Sequence, residues 1–167
     1  DEANRRLRLL RNHGLIDRDT IVLLGCNSRL DSLQAVVAKR LLPDADKIIE
    51  VRNRNAALYD KGLAGIRQVK VPARDASVTH TFVTYQILAE DRDGLLSHCK
   101  ARGVDVKIHY PVPVYCQPGL SAFGYKRGDF PVTDRHAADT LTLPVHQYLG
   151  PAEVEHAVAT VRDYYNA

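Results

Sequence analysis

The sequence predicts an α+β fold on three observations. Three helical stretches follow one another up to about residue 65, the apolar period then changes from helical to alternating, and a helix lies between two alternating segments further on. At 167 residues, 45% of them hydrophobic and 26% charged, the chain is long enough to bury a core without disulfides or metals. The predicted organisation is a helical segment over 1–65 followed by a small α+β domain over 66–167.

Asp1 is suited to cap a first helix with Ala3, Leu7 and Leu10 at helical spacing, and Gly14 supplies a left-handed stop. A second helix is expected after Asn27, with the stripe Leu30, Leu33, Val37 and Leu41, ending before Pro43. A third runs from Asp44 to Leu63 with Ile48, Ile49, Ala56, Tyr59 and Leu63 facing inward. Val69 to Pro72 and Thr79 to Leu88 read as strands, Asp91 to Arg102 as a helix closed by Gly103, and Val104 to His109 as the next strand, forming a β-α-β unit. Tyr110 to Gly119 is too rich in proline for a helix or a central strand. Helices are expected again over Thr133 to Leu141 and Pro151 to Tyr165.

The net charge of +3 is small and basic residues are interleaved with acidic ones, which argues against nucleic-acid binding. Three cysteines without CxxC spacing indicate neither a disulfide framework nor a zinc site, and His109 and Cys116 match no recurring metal spacing. No apolar run approaches the ~20 residues of a membrane span and no signal-peptide pattern opens the chain, so a cytoplasmic protein is expected. The absence of methionine, with Asp1 already at a helix cap, is the pattern of a fragment or a processed start.

Two stretches carry chemistry. In Gly25-Cys26-Asn27-Ser28-Arg29-Leu30-Asp31-Ser32-Leu33-Gln34-Ala35 a glycine allows a sharp turn before a helix, and Asn27 is placed either to hold an anion or, with Ser28 and Asp31, to cap the helix. In Ile108-His109-Tyr110-Pro111-Val112-Pro113-Val114-Tyr115-Cys116-Gln117-Pro118 prolines stiffen a loop that either holds polar and aromatic groups toward a sugar or planar ring, or packs its tyrosines on the core.

Together these runs resemble the DegT/DnrJ/EryC1/StrS aminotransferases, in which G-x-N-x-R-x-D-x-x-Q-A and H-Y-P-x-P-x-x-x-Q-P occur in this order. Arg8 to Gly14, Gly124 to Pro131 and Leu141 to Pro144 add to the likeness, which covers essentially the whole chain. The resemblance implies the C-terminal part of a fold-type I enzyme dependent on pyridoxal 5'-phosphate, acting as a homodimer with active sites at the subunit interface. The implied reaction moves an amino group, with glutamate as donor and pyridoxamine phosphate formed during turnover, onto a free or nucleotide-linked keto-sugar.

By resemblance, Asn27 reaches the cofactor phosphate of the other subunit and Arg29 supports phosphate or substrate, while His109 and Tyr110 line the substrate side. The large cofactor domain, with the lysine that carries the cofactor, corresponds to sequence upstream of Asp1, so no catalytic residue is assigned in this chain. Cys26 departs from the aromatic often found before the asparagine. Two rival readings are a keto-sugar dehydratase of the same family, with histidine in place of that lysine, and a non-catalytic binding or regulatory module.

Overall fold

A computed structural model describes residues 1–166 and divides into two compact units, Asp1–Ala45 and Asp46–Ala167. In the first, α1 (Glu2–Leu10) is capped by Asp1, whose carboxylate accepts from the Asn4 amide at 3.1 Å. The chain then makes a tight hairpin-like turn and enters α2 (Ser32–Leu41), where the Asp31 amide donates to Gln34 Oε1 at 3.4 Å. A 3₁₀ turn over Leu42–Asp44 carries Pro43. Neither helix buries a residue: Leu7, Leu33, Val37 and Leu41 are exposed, and Leu30 lies before α2 at φ 66°. The two predicted apolar stripes are therefore not a core of this unit, which holds no apolar layer to receive them.

The second unit carries the core. Its long helix α3 (Ala45–Leu63) buries Asn55, Ala56, Tyr59 and Leu63, and this helix, placed by the sequence pattern with the N-terminal segment, belongs almost entirely to the sheet-bearing unit. Beside it lies a three-stranded antiparallel sheet of order β1-β2-β3, formed by Val69–Lys70, Tyr85–Ala89 and Thr140–Leu143. Tyr85 faces Leu143 and Ile87 faces Leu141, so the buried faces of the two longer strands coincide. Helices α4 (Arg92–Ala101), α5 (Pro131–Asp139) and α6 (Pro151–Asn166) complete the fold. Leu95 and Cys99 of α4 and Val154, Ala157 and Val161 of α6 join the same core.

Polar side chains at the centre of this core find main-chain acceptors, while the buried Nε2 of His98 on α4, beside the Tyr164 ring, has no hydrogen-bond partner among the described residues. Buried Asn55 donates to the carbonyls of His146 and Leu149, both at 3.3 Å, and the Tyr59 hydroxyl donates to Pro144 O at 2.8 Å. Arg162 of α6 donates to Gly62 O at 2.8 Å and Ala64 O at 3.3 Å, meeting carbonyls left open at the end of α3.

The α+β class holds, but three elements differ from expectation. The helix expected through Leu141 stops at Asp139, because Thr140-Leu141-Thr142-Leu143 alternates and β2 offers it a ladder. The strand expected over 104–109 is a strap whose main chain pairs with the sheet only where Lys107 and Thr142 exchange bonds of 3.1 and 2.8 Å; the Val106 amide turns back to Val104 O instead. No β-α-β unit forms, since β2 pairs antiparallel with both neighbours. The strand expected from Thr79 begins only at Tyr85. Before it, the carbonyls of His80 and Phe82 are taken by Asn53 and Arg52 of α3 rather than by a neighbouring strand.

Candidate functional site

The turn joining α1 to α2 is built by the end of α1. Carbonyls that an isolated helix would leave open, Leu10 O and Arg11 O, accept the amides of Cys26 at 2.8 Å and Ser28 at 2.9 Å, and the His13 amide returns to Cys26 O at 3.0 Å. These bonds set Asn12 opposite Asn27 as a non-hydrogen-bonded antiparallel pair, the arrangement in which facing side chains come closest. Arg29, two residues on from Asn27, donates from Nη1 to Asn12 Oδ1. Asn27 and Arg29 thus stand on one exposed turn with Asn12, a residue not singled out in the sequence. Two glycines permit it: a Cβ at Gly25 would lie 2.6 Å from Gly14 N and Leu10 O, and one at Gly14, where φ is +76°, 1.8 Å from Leu23 O.

His109 and Tyr110 lie elsewhere, in the second unit, on the strap beyond Lys107. His109 is held by a 3.0 Å bond between Nδ1 and Thr142 Oγ1, and its carbonyl accepts from Gln86 Nε2 at 3.5 Å. Tyr110 is exposed and packs edge-on to the His109 ring, centroids 5.6 Å apart. Both line an open hollow of about 500 Å³ with Gln86, Gln117, Thr133 and His136. Gln117 lies in the proline-rich run singled out in the sequence, whereas Gln86, Thr133 and His136 were not found by sequence reasoning: β2 and α5 bring them to the loop, and only the tertiary packing could have shown it. The proline loop itself makes two short 3₁₀ turns, Val114–Cys116 and Pro118–Phe123.

One wall of the loop is locked by Tyr115, buried against Phe130 with ring centroids 4.8 Å apart, its hydroxyl donating to Asp134 of α5. Burial, and then the carboxylate beside it, push the Tyr115 pKa up to about 12. The same hydroxyl, with the Gly128 amide at 2.8 Å and Arg127 at 3.7 Å, holds the Asp134 carboxyl below its ordinary value. Because the folded value is depressed, this contact stabilises the fold above the unfolded carboxylate range near about pH 4 and is lost as pH falls through the folded value. Acid unfolding of the Asp134→Asn variant should accordingly be less steep than that of the parent below about pH 4, as followed by circular dichroism. Identical acid limbs would rule the contact out as an acid-sensitive link.

Chemically, the first unit offers an amide and, among the described residues, a cation held by a neutral acceptor and paired with no acid, a donor set suited to an anion. The second offers a hollow with imidazole, amide and hydroxyl groups and aromatic faces, suited to a polyhydroxylated or planar ligand. Among the described residues no three His, Cys, Asp or Glu side chains gather as a metal site, and no helix is long and apolar enough to cross a membrane.

The profile of the DegT/DnrJ/EryC1/StrS aminotransferase family matches residues 1–162, and the chain belongs to that family. It is 33% identical over 98% of its length to the dTDP-3-amino-3,4,6-trideoxy-alpha-D-glucose transaminase of Streptomyces venezuelae. It is 32% identical over 99% of its length to a pleiotropic regulatory protein of Geobacillus stearothermophilus. The crystal structure of S. venezuelae DesV in complex with ketimine intermediate superposes with a TM-score of 0.91 at 32% identity, covering 99% of this chain. The chain spans less than half the length of these relatives: 43%, 45% and 45% respectively.

Proposed function

We propose that the protein carrying this chain transfers an amino group, with glutamate as donor, to a keto-sugar or nucleotide-linked keto-sugar in amino-sugar biosynthesis. The observation that carries this reading is the agreement in sequence and fold, over nearly the whole chain, with a structure whose ligand is a ketimine, the condensation product of an amine and a ketone. Pyridoxal 5'-phosphate, when bound, supplies the electron sink that amino transfer requires. This chain's part is binding and orientation: Asn27 and Arg29 hold the phosphate, and His109 and Tyr110 face the sugar. None of its residues is assigned the covalent step.

The donor set fits the phosphate, since Arg29 is held by a neutral amide and keeps its charge for an anion. A homodimer is supported by the apolar exposure of the first unit, where Leu24 is 95% and Leu33 76% exposed. In that dimer Asn27 serves the cofactor of the partner subunit. The three free cysteines suit the reducing cytoplasm.

The test uses the complete protein. It should release 2-oxoglutarate from glutamate beyond about one equivalent per cofactor only when a keto-sugar nucleotide is supplied to take the amino group, and Asn27→Ala should weaken pyridoxal 5'-phosphate about tenfold, the worth of one hydrogen bond to a charged group. In parallel, affinity for pyridoxal, which lacks the phosphate, should not change. Equal affinity of parent and variant for the phosphorylated form would remove Asn27 from the site.

A further inference from the structure

We infer that Asn12 is a positioning residue for the anion-binding turn, acting through Arg29. The inference rests on the reading above that Asn27 and Arg29 grip the cofactor phosphate.

Three observations converge on Asn12. Its main chain is the partner of Asn27 in the bridge that joins the end of α1 to the turn, so the two residues move as one piece. Its side-chain oxygen accepts from Arg29 Nη1, the polar contact that the Arg29 side chain makes among the described residues. Its neighbours leave little slack: the Asn12 amide donates to Leu9 O at 3.0 Å, and the Asn12 carbonyl accepts from the Leu15 amide at 3.1 Å.

The chemistry of the acceptor matters as much as its place. A guanidinium presents five donors and a full charge; an amide oxygen occupies one donor and fixes the plane of the group while leaving the charge uncompensated. A carboxylate at the same position would also fix the plane, but would pair with the cation and oppose an incoming phosphate. Other guanidiniums divide between acids, as Arg5 with Glu2, Arg74 with Asp60 and Arg92 with Asp93, and neutral oxygens, as Arg8 with Asn4 and Arg52 with Gln147. Arg29 is held by a neutral residue, which leaves its charge available to the anion.

The experiment measures dissociation constants of the complete protein for pyridoxal 5'-phosphate and for pyridoxal. Asn12→Ala should weaken the phosphorylated form about fivefold, the order expected for loss of orientation of one charged donor, and leave pyridoxal unchanged. In an Arg29→Ala background the same change should add nothing. Asn12→Asp, which keeps an acceptor in place, should weaken the phosphorylated form at least as much as Asn12→Ala.

Equal losses for both ligands would show general loosening of the turn and overturn the assignment, as would a loss that persists without Arg29. An Asn12→Asp variant that binds as the parent does would overturn the requirement for a neutral acceptor. If Asn27→Ala and Arg29→Ala both leave the two affinities unchanged, the phosphate reading itself fails. If they act and Asn12→Ala does not, only the positioning role is lost.

Discussion

Replacing Gly25 or Gly14 by alanine is expected to dismantle the Asn27 turn while leaving the fold of residues 46–166 intact. At Gly25 the added carbon meets main-chain atoms of Leu10, His13 and Gly14 within 2.9 Å; at Gly14 it meets Leu23 O at 1.8 Å with the backbone already at positive φ. None of these is a flexible side-chain end, so the backbone itself must move, at a cost of about 2–3 kcal/mol for each substitution. The amides of Cys26 and Ser28, which donate to α1, should then exchange with solvent roughly thirtyfold faster or more. Binding of pyridoxal 5'-phosphate by the complete protein should fall in parallel. Exchange rates unchanged in both variants would mean that the turn is not held by this packing.

Tyr59→Ala carries the other large effect, on stability. The ring is fully buried, lies 4.8 Å centroid to centroid from Tyr85, and sends its hydroxyl to Pro144 O immediately after β3. Burial pushes the hydroxyl's pKa well above the tyrosine range, so it remains a donor throughout the physiological span. Truncation to alanine should cost about 3–5 kcal/mol through the cavity left behind, and lower the melting temperature by about 10 °C for a chain of this size. Tyr59→Phe should cost about 1–2 kcal/mol, because Pro144 O loses its donor without loss of the ring. Calorimetry separates the two; a phenylalanine variant as damaged as the alanine one would place the stability in the hydroxyl rather than in packing.

Much of the fold could be read from the chain alone where local signals and packing agree. The inward residues of α3, the glycine at 103 behind α4 and the proline opening α6 each declare themselves through spacing, a stop or a first-turn residue. What could not be read is set by partners distant in sequence. Thr140–Leu143 continues a helical stretch and becomes a strand because Tyr85–Leu88 lies alongside. The 104–109 segment has the alternating burial of a strand, Val104 and Val106 in and Asp105 and Lys107 out, yet makes one bridge only.

The candidate site divides in the same way. Asn27 and Arg29 stand out beside a glycine-kinked helix entrance, and His109 and Tyr110 beside prolines. Asn12 joins the first pair across seventeen residues and His136 the second through α5, connections made by folding rather than by spacing.

The bridge between Lys107 and Thr142 carries a consequence for how this molecule tolerates change. The outer rim of β3 would otherwise present open main-chain groups to any passing extended peptide, and this one contact blunts it. Two residues further along the same strap, His109 is anchored to the side chain of the same Thr142. Shielding from unwanted self-association and the siting of an imidazole in the hollow therefore meet at one residue, the first through the Thr142 main chain and the second through its hydroxyl.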